Sequence, residues 1–254
     1  MITLQAATLA RGWLAVATAN EKGANTSRPA LWRTIHIQQY PHGLRLTATD
    51  SYMLLSTWIP EAYNDLEPEP QLDEIPWATA IAIDEHNRAT GLLGHLLTLA
   101  RSDDHKDKLE VNVQLNVPWQ PDDVDPADRQ LDGFEALAVR IEYPDHESVQ
   151  LRVYEGRYPS LAPLLTRKPV KTDAVALSQK MCARLGKAAA PHGDPLVKCR
   201  FTGRNKPVLV EFGDEPPVRG LAMPCRWDLD ADVPELPAAD EIKAIDATSR
   251  EVEK

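Results

Sequence analysis

"GLRLTATDSYMLLSTWIP", residues 43–60, sets two apolar runs on either side of a polar break, Thr49-Asp50-Ser51-Tyr52. The first run alternates as a half-buried strand does, and Thr-Asp-Ser is ordinary turn chemistry, so the stretch reads as a hairpin. Its second arm is unusual. Met53, Leu54 and Leu55 follow the turn at once. A polar turn that leads straight into an oily run is expected where turn and run together wall a surface. Upstream, "RTIHIQQY" joins the first arm through the break "PHG", a second hairpin signal.

Working outward, the same order of signals recurs. The first copy opens with Leu4, Leu9, Trp13, Leu14 and Val16 at helical spacing, before the strands just described. The second opens with "ATAIAI", then a helix over 84–101 capped by Asp84, then "KLEVNVQLNV", "ALAVRIEYP" and "SVQLRVYEG". The third opens with "DAVAL", then a helix over 178–190 capped by Ser178 and stopped by Pro191. "PLVKCRFTG", "KPVLVEFG" and "RGLAMPCRW" follow it, the first two joined by the turn "GRNKP". The pattern predicts an α+β fold of repeated strand–helix–three-strand modules, with antiparallel sheets outside and helices lining one face.

The chain has 254 residues and a formal net charge of −10. That charge argues against a protein that simply coats nucleic acid. The acid is concentrated in 60–76, 118–133 and 228–254, which read as solvated spacers and a disordered tail. No apolar run is long enough to span a membrane, and the N-terminus makes a poor signal peptide. Cys182, Cys199 and Cys225 are odd in number and widely spaced, which suits buried or free thiols in a reducing cytoplasm.

Enzyme motifs are largely absent. Cys182, His192 and Cys199 have the wrong spacing for a zinc finger. "DEH" at 84–86 is better read as a helix cap, and Asp122, Asp123, Asp125 and Asp128 as part of a spacer, than as metal ligands. The expectation is a non-catalytic protein with no catalytic residue, metal or cofactor. The helices say more. Lys180, Arg184 and Lys187 stack on one face of the third, Arg88 and Arg101 lie on the second, and Arg11 on the first. Basic helices beside acidic spacers suit a surface that meets phosphates without reading bases.

Three segments carry a family resemblance. "GLRLTATDSYML" resembles a segment in the middle domain of the bacterial replicative sliding clamp, the beta subunit of DNA polymerase III. "VYEGRYPSLAPLL" (153–165) resembles the segment leaving that domain, and "CRFTGRNKPVLVEF" with "GLAMPCRW" resembles the end of the last domain. "TGRNKPVLV" is most similar to actinobacterial forms, which suggests a shortened member from a phage or mobile element. A family subunit has three domains of two modules each. This chain has room for three modules: residues 1–165 as one clamp-like domain, 166–228 as half of another, and 229–254 as the tail.

The resemblance implies a processivity factor that encircles duplex DNA as a homo-oligomeric ring, without reading sequence. It also implies a tether to DNA polymerase and clamp loader through a groove for short hydrophobic peptides. Carried over, the groove residues are Thr49, Ser51, Tyr52, Met53, Leu54, Pro159, Leu164, Leu221, Met223, Pro224, Cys225 and Arg226. The DNA-facing set is Arg11, Arg88, Arg101, Lys180, Arg184 and Lys187. Alanine at Met53 and Met223 is expected to abolish peptide binding while leaving the fold intact. The alternative is a clamp-like interaction protein that binds clamp partners or host replication proteins without encircling DNA.

Overall fold

The computed structural model describes residues 1–20, 34–62, 78–82, 94, 98, 109–118, 137–142, 148–154, 168, 175–193, 196–203 and 205–225. Within them the chain runs β1 (Ile2–Gln5), α1 (Ala6–Ala17), β2 (Thr34–Tyr40), β3 (Gly43–Thr49) and β4 (Met53–Pro60). Next come β5 (Ala78–Ala82), β6 (Glu110–Pro118), β7 (Leu137–Glu142) and β8 (Ser148–Tyr154). The third module supplies α2 (Gln179–Ala189), a 3₁₀ turn (Ala190–His192), β9 (Lys198–Arg200), β10 (Val208–Phe212) and β11 (Val218–Ala222).

Every pairing is antiparallel, and the strands form one sheet in the order β1-β6-β7-β8-β5-β2-β3-β4-β11-β10-β9. The order reveals an exchange. The first strand of each of the first two modules crosses into the sheet of the other. β1 pairs with β6, Gln5 opposite Glu110, and β5 pairs with β2, Ala82 opposite Thr34. The third module joins by its last strand, β11 running along β4.

The helices α1 and α2 lie together on one face of the sheet and share a single core. Trp13, Leu9 and Val16 of α1 meet Ile35, Ile37, Leu46 and Leu55 of the sheet, with Met181 and Leu185 of α2 in the same cluster. Gly12 lets α1 sit close to the sheet, because a Cβ there would come within 3.0 Å of Thr57 Cγ2. On the opposite face, Tyr40 and Trp58 meet edge to face with ring centroids 5.5 Å apart, and Arg45 lies over the Tyr40 ring at 5.4 Å.

Two expectations change. Leu4 belongs to a strand, not to the first helix: Ile2 and Leu4 point into the core with period two, and the helix begins at Ala6. "DAVAL" was expected to be a strand, but its described residues, 175–177, carry no strand pairing. The Ser178 cap is present, its hydroxyl accepting from the Met181 amide at 3.1 Å, and the helix gives way to a 3₁₀ turn at Pro191. Of the helix expected over 84–101, only Gly94 and Thr98 are described, and both are helical. The acidic cluster 122–128 and nearly all of the three acidic segments lie outside the described residues. No described helix is long and apolar enough to cross a membrane. The three cysteines are free and exposed.

Candidate peptide-binding seam

The break at 49–53 is a closed hydrogen-bonded device. Thr49 Oγ1 donates to the Met53 carbonyl at 2.9 Å and accepts from the Ser51 amide at 3.2 Å. Asp50 Oδ1 accepts from the amides of Tyr52 and Met53 at 3.0 and 2.8 Å, and the Asp50 amide donates to the Met53 carbonyl. This Asx geometry holds Ser51 at a φ of +73°, a left-handed value uncommon outside glycine. Thr49 and Asp50 are buried, while Ser51 and Tyr52 stand out into solvent.

The other Asp50 oxygen reaches across the molecule. Oδ2 accepts from Arg184 Nη1 of α2 at 2.6 Å, and Arg184 also donates through Nε and Nη2 to the Thr18 carbonyl, just past α1, at 3.2 and 2.8 Å. One guanidinium thus ties the turn, the end of α1 and α2 together. Arg184 is therefore withdrawn from the expected DNA-facing set. Its side chain sits at the border of the buried stripe of α2, where Asp50 and the Thr18 carbonyl engage it. Sequence reasoning passed over Asp50 as a functional residue, because no local signal links two residues 134 positions apart.

The β4–β11 pairing brings the first and last segments of the expected groove together. Leu54 lies opposite Leu221 and Met53 opposite Ala222, and the Met223 amide donates to the Tyr52 carbonyl at 2.7 Å. The pleat then sorts the candidates. Met53, Leu55, Val218 and Ala222 point to the helix side and belong to the core. Met53 is 1% exposed, so it cannot floor a groove, and its truncation would leave a cavity costing about 2–5 kcal/mol. The expectation that Met53→Ala leaves the fold intact is withdrawn for that reason.

Tyr52, Leu54, Leu221 and Met223 fall on the outer face. Leu54 and Leu221 are covered but lie outside the main core cluster. Tyr52 and Met223 are 52% and 38% exposed, large apolar side chains flanking one backbone hydrogen bond. Pro224 is half-buried, and Cys225 is exposed. The seam is close-packed at its backbone: a Cβ on Gly220 would collide with the Leu54 carbonyl oxygen and come within 2.7 Å of Leu55 Cδ2.

Pro159, Leu164 and Arg226 of the expected groove, and Arg88 and Arg101 of the expected basic face, lie outside the described residues. Lys180 and Lys187 are exposed on α2. Arg11 is half-buried, its Nε donating back to the Ala7 carbonyl at 3.3 Å. Among the described residues no cluster of acidic, histidine or cysteine side chains could hold a metal ion.

No protein-family model matches the sequence, and no curated protein matches it. Solved structures do match by fold. The chain is similar to the beta clamp of Helicobacter pylori at a TM-score of 0.52 and 14% identity, over 89% of this chain and 66% of that one. It is similar to the DNA polymerase III beta chain of Streptococcus pneumoniae at 0.54 and 12%, over 89% and 64%. A DNA polymerase sliding clamp of Pseudomonas aeruginosa gives 0.55 and 12%, over 89% and 66%. The chain thus spans just under two thirds of the length of these clamps. The exchanged antiparallel strands, with helices gathered on one face, are the sliding-clamp fold.

Proposed function

We propose that the protein is a sliding clamp, a non-catalytic processivity factor whose ring encircles duplex DNA and whose β4–β11 seam holds short hydrophobic peptides of its partners. The observation that carries this reading is the outer face of the seam. Exposed Tyr52 and Met223 flank the Leu54–Leu221 pair, and the turn beneath them is held by the Asp50–Arg184 clasp. Adaptable apolar side chains over a rigid backbone suit a short peptide with one or two large apolar anchors. DNA polymerase and clamp loader are the partners proposed for it, with Pro159, Leu164 and Arg226 completing the groove. Lys180 and Lys187, with Arg11, Arg88 and Arg101, are proposed to meet phosphates on the helix side, sequence-independently and with marked salt sensitivity. The three-module division, 1–165 and 166–228, belongs to the same proposal, as do a phage or mobile-element origin and a cytoplasmic site of action.

The test has two arms. A fluorescent clamp-binding peptide is titrated with the protein, the Tyr52→Ala variant and the Met223→Ala variant. Each variant is expected to weaken binding at least tenfold at unchanged melting temperature. Equal affinities would reject the seam. The assembled protein, loaded on nicked circular DNA, is expected to stay bound until the circle is linearised. Peptide binding without topological retention would replace the clamp with the second reading, a clamp-like protein that engages replication proteins off DNA.

A further inference from the structure

The third module is built like the other two but, among the described residues, lacks their partner. In the first module, β1 lies beside the end of its own module, the Ala62 amide donating to the Thr3 carbonyl at 2.9 Å, and its other edge pairs with β6. In the second, β5 lies beside β8, Ala80 opposite Tyr154, and its other edge pairs with β2. Counting back from the helix start, Ala176 stands where Thr3 stands. Its carbonyl accepts from the Cys225 amide at 2.8 Å, just past the module's last strand. Val175 and Leu177 touch the core as Ile2 and Leu4 do. Residues 175–177 therefore occupy the place of a first strand. Among the described residues their outer edge pairs with nothing, and β9, the counterpart of β6 and β2, has β10 as its one neighbour.

Side chains agree with the backbone. The core-side positions of β6, Val111 and Val113, are buried, as are Ile35 and Ile37 of β2. Their counterparts on β9 are Cys199, which faces Val210 across the pairing, and Phe201 just beyond it; both are exposed. The same holds for the helices. Ala6, Leu9, Ala10, Trp13 and Ala17 form one buried stripe of α1. The matching stripe, Gln179, Cys182, Ala183 and Gly186 of α2 with Ala190 just past its end, is exposed and mostly small. Gly186 costs a helix interior about 1 kcal/mol against alanine. Among the described residues nothing needs it, since an added Cβ would meet none of their atoms within 4 Å.

We propose that two copies of this chain join through their third modules by the same reciprocal exchange that joins the first two modules. Residues 175–178 of each copy run antiparallel to β9 of the other, and the small stripe of α2 packs on its own symmetry mate. Transfer of the β1–β6 register sets Ser178 opposite Lys198, Leu177 opposite Cys199 and Ala176 opposite Arg200 of the second copy. The contact is isologous, and it removes an open sheet edge that would otherwise invite unspecific pairing. It completes a domain from two halves. The inference deepens the ring proposed above, four chains supplying twelve modules, but rests on the repeat inside the chain and not on DNA or peptide binding.

Light scattering on the full-length protein tests it. The expected mass is that of two or four chains, halved by Gly186→Lys and by Phe201→Glu. Gly186→Lys has open space in the single chain and improves helix propensity, so its melting transition should persist. A single-chain mass for the unaltered protein, or a mass unchanged in both variants, overturns the proposal, whatever else covers the edge. The register has its own check in a background with the three native cysteines replaced by serine. Protein carrying Ala176→Cys, mixed and oxidised with protein carrying Arg200→Cys, should give a disulfide-linked heterodimer, since residues opposite each other at such positions have Cα atoms about 4.5 Å apart. Absence of that product overturns the register. An even-numbered assembly that fails to stay on circular DNA keeps the exchange and sinks the ring.

Discussion

Asp50 does two jobs with one carboxylate. One oxygen shapes the turn, and the other receives Arg184 from a helix in a different module. The pair is largely shielded, with side-chain exposures of 7% and 21%, so removing one partner strands a charge. Asp50→Ala is expected to cost about 3 kcal/mol in chemical denaturation. A double-mutant cycle with Arg184→Met should give a coupling above about 1 kcal/mol, and a coupling near zero would show the pair to be solvent-screened. His36 sets an acid limit by a different route. Burial holds its imidazole down, from 6.5 to about 4. The folded state then binds fewer protons than the unfolded one, so stability is full above pH 6.5 and falls as pH drops toward about 4. His36→Gln should flatten that part of the stability–pH profile, and an unchanged profile would place the acid sensitivity elsewhere.

At the scale of elements, the decisive contact is β4 against β11. It joins the third module to the first and makes the seam. Gly220 is the residue that permits it, opposite Leu55 and against the Leu54 carbonyl. Gly220→Ala should destabilise the protein by about 1–3 kcal/mol and weaken peptide binding with it, because the two strands must part. Retained stability with full binding would mean that the seam has slack. The helices were legible in sequence from their apolar period and, for α2, from its cap. β1 was not, because Leu4 also fits the stripe of the helix that follows it, and a four-residue strand offers too few positions for a period of two to stand out. "DAVAL" differs in its described part: residues 175–177 take one backbone hydrogen bond, from the Cys225 amide to the Ala176 carbonyl, and a strand needs a ladder of them.

For the whole molecule, the exchange of first strands makes modules interdependent. Among the described residues β1 and β5 each pair outside their own module, and the free edge of β9 and the outer stripe of α2 have no partner. The exchange proposed above fills that edge with a second copy, and a mass measurement tests it apart from DNA binding. Of the basic residues that spacing grouped on α2, Arg184 turns to an ion pair within the chain. Spacing reports which residues share a helix side and is silent on what lies opposite, and for Arg184 that is Asp50.

The sequence by itself determined the modular order, the antiparallel class, the turn at 49–53 and the family whose fold this is, because these rest on local periodicity, turn chemistry and short matching segments. Tertiary structure alone decided which face each seam residue takes, that Met53 is core while Tyr52 and Met223 are surface, and that Arg184 belongs to Asp50. Those outcomes depend on strands and helices more than a hundred residues apart meeting in one register, and no local pattern encodes a register between distant segments.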